Sequence, residues 1–330
     1  MKFLRIILFS FIVVLHALPA SGGSGILYAV NPLRESVDVY DTNALMRVDR
    51  ISVGKDPSDI ALSPDRRLLA VTHRGTDIES PQVLWIIDRE KKEVVDKVYV
   101  FLTRYRERGE VHPLFSQDGK KIYIVEDEKD STGFLNVVIA SGDSKWRLVK
   151  RLNLCEHPRK GILSGDGKTL YIPCLYSRKI MVVDTEADRI ADVINVIGMP
   201  SAIALSADEK TAYVTDRENH RVLFIDLATH KTVKEIAVGS APGNLVLADE
   251  RHLYVFNTHS NNLSIVDVER KENIMTRGMG ILPEKIAYDP SKKLLYIVSG
   301  PATISIVDTS APKKLQSIPA DFVTNIVLAP

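Results

Sequence analysis

Five of the seven histidines beyond residue 22 fall where turn residues gather. His73, His220 and His259 lie between strand-like runs, and His112 and His157 lie between larger units. Imidazoles in such places could act as general bases or could ligate a divalent metal or a tetrapyrrole. Their spacing fits no zinc motif, so ligation would need convergence in space, and solvated loop histidines are the plain alternative. The segment 103–110 reads Thr-Arg-Tyr-Arg-Glu-Arg-Gly-Glu. Its Arg104, Arg106 and Arg108 suit an anionic or aromatic partner, although Lys120, Lys121 and the acidic Glu126-Asp127-Glu128 dilute any single-sign field. Cys155 and Cys174 are the only cysteines, and no Cys-x-x-Cys-His is present, which excludes covalently attached c-type haem.

What must position these groups is a repeat. Its clearest copy runs Pro200, Ile203, Leu205, Ser206, Asp208, then Tyr213-Val214-Thr215-Asp216, then an apolar run ending at Asp226. The equivalent prolines are Pro158, Pro200, Pro242 and Pro283, a period of 42, 42 and 41 residues. Within the best copy, 201–206, 211–215, 221–226 and 232–238 are rich in Val, Ile, Leu or Tyr and are separated by turn residues. Four short antiparallel strands in a repeat of this length predict a propeller blade, which cannot bury its apolar face alone.

Two columns of the repeat count the blades. First strands are expected at 58–63, 111–116, 159–164, 201–206, 243–248, 284–289 and 324–329. The Asp that closes strand three recurs at Asp41, Asp88, Asp184, Asp226, Asp267 and Asp308, and 136–140 occupies the seventh place without it. The chain opens with strands two to four of a blade and ends with a first strand. The predicted fold is therefore an all-β, seven-bladed propeller over 23–330, closed by pairing the C-terminal inner strand with the N-terminal strands. Ser-x-Asp-Gly stretches such as Ser116–Gly119 and Ser164–Gly167 read as hairpin turns and not as nucleophile motifs.

With Tyr213-Val214-Thr215-Asp216 and Tyr254-Val255-Phe256-Asn257, the pattern resembles the YVTN-repeat family of bacterial and archaeal seven-bladed propellers, over essentially the whole mature chain. Related propellers include lactonase-like enzymes and the haem-binding domain of cytochrome-type nitrite reductases. The likeness implies the fold strongly and function hardly at all.

Alternating strands put the two–three turns and the blade links on one face, the upper one. The residue ending strand two reads, around the ring, Asn31, His73, Glu126, Cys174, Asp216, Asn257 and Ser299. A polar collar for a ligand and a set of turn-capping residues are both open readings. Two–three connections are enlarged at 72–82 and 126–133, flanking the arginine-rich link, which makes that sector a candidate recognition surface. Pro113 falls inside a first strand, tolerable on an inner edge facing the channel. A hairpin at Gly165-Asp166-Gly167 brings Cys174 opposite Arg159, so a disulfide to Cys155 is reachable. Two isolated thiols or a redox site are the other options.

Residues 1–22 read as a signal peptide, with Lys2 and Arg5 before an apolar run from Ile6 to Leu18 and small residues after it. Periplasmic or secreted localisation follows, with no membrane span in the mature chain and an uncleaved anchor as the alternative. Basic and acidic residues number 43 and 42, which gives no cause to invoke nucleic acid. The leading functional expectation is a monomeric, non-catalytic propeller that binds a protein, peptide or glycan through Asn31, His73, Arg104, Arg106, Arg108, His112, Glu126, His157, Asp216, Asn257 and His259, with no cofactor. The alternatives are a lactonase-like hydrolase or lyase using a divalent metal, a haem-binding module and, more weakly, a single-stranded DNA binder.

Overall fold

The computed structural model describes residues 25–74, 83–100, 108–128, 132–141, 145–278, 283–300, 302–310 and 313–329. Residues 1–22, expected from sequence to be a signal peptide, lie outside them. Seven four-stranded antiparallel sheets form a ring. Blade 1 joins the termini, with the C-terminal strand Asn325–Ala329 innermost beside Ile26–Asn31, Ser36–Asp41 and Met46–Ser52. Its register runs from Ile26 opposite Ala329 to Val30 opposite Asn325. Inner strands of blades 2 to 7 are Pro57–Leu62, Arg108–Phe115, Ile162–Leu163, Pro200–Leu205, Pro242–Leu247 and Pro283–Asp289.

The core lies between blades. Apolar side chains of adjacent sheets interleave there, as where Leu84 and Ile86 of blade 2 meet Ile122 and Ile124 of blade 3. The motif tyrosine links blades as well as filling space. Tyr123 donates its hydroxyl hydrogen to Thr185 O (3.3 Å), and Tyr254 donates to Thr309 O (2.9 Å) in the next blade. Strands three and four of every blade carry a register shift at the same height, from Val39/Tyr40 in blade 1 to Ile306/Val307 in blade 7. Such bulges increase twist and turn the outer strand out of line.

Turn chemistry follows the sequence reading. Ser63, Ser116, Ser164 and Ser206 each donate to the Asp two residues on, at 2.6 to 2.7 Å. The strand-three Asp accepts two backbone N–H groups of the next turn, for example Asp41 from Asn43 and Ala44 (2.7 and 2.9 Å). Blade 4 departs from expectation. Its inner strand shrinks to Ile162–Leu163, preceded by an isolated bridge from Pro158 to Cys174 and by Gly161, where a side chain would press on the Tyr171 carbonyl.

Candidate functional site

Inner strands place one residue of each blade at a common height in the channel. Asp59, His112, Asn244, Lys285 and Asn325 pair with Thr72, Val125, Phe256, Val298 and Val30, the residue one short of the end of strand two except in blade 3, where that strand runs on to Glu128. Lys160 follows Arg159, whose N–H binds Pro173 O, the equivalent level of blade 4. Strand alternation explains the placement. The next residue, such as Ile60 or Leu245, is buried in the core, so its predecessor faces the channel.

Three blades converge on one imidazole. His112 Nδ1 lies 2.8 Å from Asp59 Oδ2, and both residues are about 1% exposed. Lys160 Nζ stands 3.3 Å from the same oxygen. Burial pushes the Asp59 carboxyl up. The charge of Lys160 and the bond and charge of His112 outweigh it and hold the pKa at about 2. An ionised carboxylate only accepts hydrogen bonds, so Nδ1 carries the hydrogen and donates it. That leaves Nε2 as the free edge of the ring, 3.2 Å from Glu110 Oε2 but without hydrogen-bonding geometry.

Glu110 is brought in by a local irregularity. Blade 3 pairs Arg108 with Glu128 and Val111 with Glu126, so Gly109 and Glu110 together oppose Asp127. A side chain at position 109 would collide with Asp127, so the bulge needs its glycine. The bulge aims Glu110 across the channel. Arg159 Nη2 lies 3.2 Å from Oε2, and Lys285 Nζ reaches from blade 7 to 3.4 Å. Burial raises the Glu110 carboxyl, but Lys285, His112 and Arg159 prevail and hold it well below the usual range. With two carboxylates against Arg159, Lys160 and Lys285, the cluster is one positive charge in excess before His112 is counted. A site so biased stabilises negative charge.

A neighbouring pair extends the cluster. His157 Nδ1 lies 3.0 Å from Asp127 Oδ2, and its ring meets Tyr176 edge-on at 4.4 Å. Burial raises the Asp127 carboxyl despite the opposing charge and bond of His157. The Cys155–Cys174 disulfide closes the link that carries His157, Arg159 and Lys160, with Cα atoms 6.0 Å apart. Among the described residues, no group of three or more His, Cys, Asp or Glu side chains is gathered as a metal ion would require.

The strand-two termini stand elsewhere. Asn31, His73, Glu126, Asp216 and Asn257 are all buried. Asn31 donates to Asp38 Oδ2 (3.1 Å) and to the Asp321 carbonyl. The His73 nitrogens meet the carbonyls of Val83 (2.9 Å) and Val53 (2.7 Å). Glu126 receives Asn136 and Arg151, Asp216 receives Met199 N, Asn219 and Arg221, and Asn257 donates to Asn262 and Ser264. In each case the side chain ties strand two to strand three or to the preceding link. His259 is exposed at the rim, away from the channel cluster. Arg104 and Arg106 lie outside the described residues, as do 75–82 and 129–131 of the enlarged connections, and Arg108 is placed only by its backbone. Glu126-Asp127-Glu128 continues the strand Lys121–Glu128 and is buried, where the sequence had suggested a charged loop.

Of the expected residues, His112 and His157 are thus brought near one another. Asp59, Glu110, Arg159, Lys160 and Lys285 were missed. The signal for Asp59 and Lys285 was present as the variable residue just before the first-strand aliphatics Ile60 and Ile286.

No protein-family model matches the chain, and no curated protein matches it. Solved structures do. The periplasmic gluconolactonase PpgL of Pseudomonas aeruginosa is similar at TM-score 0.78 and 17% identity, covering 93% of this chain and 99% of its own. A candidate 6-phosphogluconolactonase of Bacteroides fragilis gives 0.75 and 14%, covering 94% and 100%. The dihydro-heme d1 dehydrogenase NirN gives 0.67 and 13%, covering 92% of this chain and 74% of its own. At these identities the likeness carries the fold. The expectation of a non-catalytic binding propeller is nevertheless corrected. Whole-chain neighbours include proteins named as lactonases, and an oriented imidazole stands in the channel, so the hydrolase alternative is the better supported.

Proposed function

We propose that this chain is an exported, YVTN-type propeller that hydrolyses a sugar lactone at the upper mouth of its channel. The observation that carries the reading is the buried Asp59–His112 pair, whose Nε2 lies beside Glu110 and among the cations Arg159, Lys160 and Lys285. Asp59 fixes the Nδ1–H tautomer, and Nε2 takes a proton from water as its oxygen attacks the lactone carbonyl. Negative charge that develops on the carbonyl oxygen is met by Lys160 or by Arg159 and Lys285. Collapse breaks the ring C–O bond, and the imidazolium returns the proton to the departing alkoxide. One water is consumed and one hydroxy acid is formed. Export is supported by the disulfide, which belongs in an oxidising compartment.

Proton release from δ-gluconolactone and 6-phosphogluconolactone, measured in a pH-stat against the spontaneous reaction, tests the proposal. His112→Gln should lose roughly 10²-fold or more of the catalysed rate. Wild-type protein that accelerates no lactone in such a panel would overturn it.

A further inference from the structure

Glu110 holds a place in which a ligand's carboxylate would be expected. Its Oε2 is the meeting point of Arg159 Nη2 (3.2 Å), Lys285 Nζ (3.4 Å) and His112 Nε2 (3.2 Å), and Oε1 lies 3.5 Å from Lys285. These partners come from blades 4, 7 and 3, so no single sheet assembles them. Lys285 and Glu110 stand in blades three steps apart in the ring, and their pair therefore spans the channel. Three further features separate Glu110 from the scaffold carboxylates. It sits in a bulge beyond the level of Glu126, whereas the irregularities of other inner strands, as between Pro57 and Asp59 or Pro283 and Lys285, lie below that level. Its side chain is 31% exposed, whereas that of Asp59 is 2% exposed. The contacts from Lys285 are long, and the nearby Nε2 of His112 is buried without a hydrogen bond. A tightly built structural ion pair would satisfy its partners better.

We propose that Arg159 and Lys285, beside the Nε2 edge of His112, form a carboxylate-binding subsite that the chain's own Glu110 occupies as a displaceable internal ligand. A carboxylate is the class indicated, because the resident group is one and its two cationic partners, Arg159 and Lys285, both point at that group. For a lactone hydrolase the arrangement has a direct use. Substrate is uncharged at the reacting group and product is a carboxylate, which the two cations Arg159 and Lys285 would otherwise retain. Glu110 competes for that place and drives the product out. The use in turnover rests on the lactonase reading, but the binding subsite does not.

Calorimetric titration of the full exported chain with sodium D-gluconate, at fixed ionic strength, separates the two. Glu110→Gln should bind gluconate at least 10-fold more tightly than wild type. Adding Lys285→Met or Arg159→Met to that variant should remove the gain. Inorganic phosphate in a parallel arm should gain less than gluconate, and a larger gain for phosphate would overturn the carboxylate assignment. Unchanged or weaker gluconate binding in Glu110→Gln would overturn the subsite, as would a gain that survives both second substitutions. Should Glu110→Gln not fold, Glu110→Asp keeps the charge but is one methylene too short to span the channel, and should show the same change at smaller size. Failure of lactone hydrolysis with this binding pattern intact would remove the enzymatic reading and leave the subsite standing.

Discussion

Replacing Asp59 by Asn should cost stability in a pH-dependent way whose size follows from the site. The carboxyl is held at about 2 in the folded chain against an ordinary 3.8. A folded pKa below the unfolded one means that the native state favours the ionised form. The stabilisation is therefore complete above the unfolded value and is lost as pH falls through the folded one. At ~1.36 kcal/mol per unit, the charge contributes about 2 kcal/mol at pH 7, about half of that near pH 3, and little at pH 2. Asparagine is close in shape and can accept from His112 Nδ1–H, so the difference between the two proteins isolates the charge. Urea unfolding at pH 7, 5 and 3, read by tryptophan fluorescence, should give a gap of about 2 kcal/mol that narrows as pH drops. Equal stability at pH 7, or a gap indifferent to pH, would refute the account of Asp59 as a net-favourable buried anion. The introduced side chain can also turn its amide NH₂ toward Nδ1 and impose the other tautomer. Lactone hydrolysis should then fall by roughly 10²- to 10⁴-fold while the fold survives.

Breaking the Cys155–Cys174 disulfide by a double serine substitution should cost about 3 kcal/mol, from loop-closure entropy over a separation of 19 residues. Reduction of wild type in a urea titration should reproduce that loss, and no change on reduction would contradict it. Deleting 324–330 removes the inner strand of blade 1 with its buried Ile326, Leu328 and Ala329. The ring should lose roughly 3–6 kcal/mol of apolar burial and its sharp unfolding, and a truncated chain that melts as late as full length would show that closure matters little. Asp216→Ala removes one of three partners of Arg221 and leaves the Met199 N–H without its carboxylate, so it should destabilise by about 2 kcal/mol while leaving lactone hydrolysis intact. Burial raises the Asp216 carboxyl, but Asn219, Arg221 and the Met199 N–H lower it on balance. Its contribution should accordingly be present above the ordinary carboxylate range and fade on acidification below it.

The fold was legible because each blade repeats a local pattern that only one architecture satisfies. The strands expected at 201–206, 211–215, 221–226 and 232–238 appear as Pro200–Leu205, Thr211–Asp216, Arg221–Asp226 and Lys231–Ala237. Closure through the C-terminal strand and the Cys155–Cys174 bond also followed from chain order and hairpin geometry. What failed was the boundary of blade 4 and the reading of Glu126-Asp127-Glu128. Both are places where a bulge or a bridge to Pro158 overrides the pattern of the other blades. A one-residue bulge leaves no mark on composition, and Gly109 is a single glycine in a charged run.

The strand-two termini are buried and bonded to the scaffold for a different reason, one general to repeats of this kind. Variation between blades at the end of strand two suggested a ligand collar, yet any position that meets the preceding link varies with that link. Asn31 bonds to Asp321 O, and Asp216 bonds to Met199 N, each matching a neighbour that differs in every blade. Variation marks a ligand only where scaffold contacts cannot account for it. Strand alternation identifies such a position in advance. Ile60, Ile203, Leu245 and Ile326 are buried in the core, so the residue before each faces the channel and answers to whatever fills it. Read there, the ring carries Asp59, His112, Lys160, Ala202, Asn244, Lys285 and Asn325. Charge and imidazole crowd into blades 2 to 4 and return at blade 7. That asymmetry is what a one-sided small ligand would select, and a ring symmetric in its scaffold has no structural need of it.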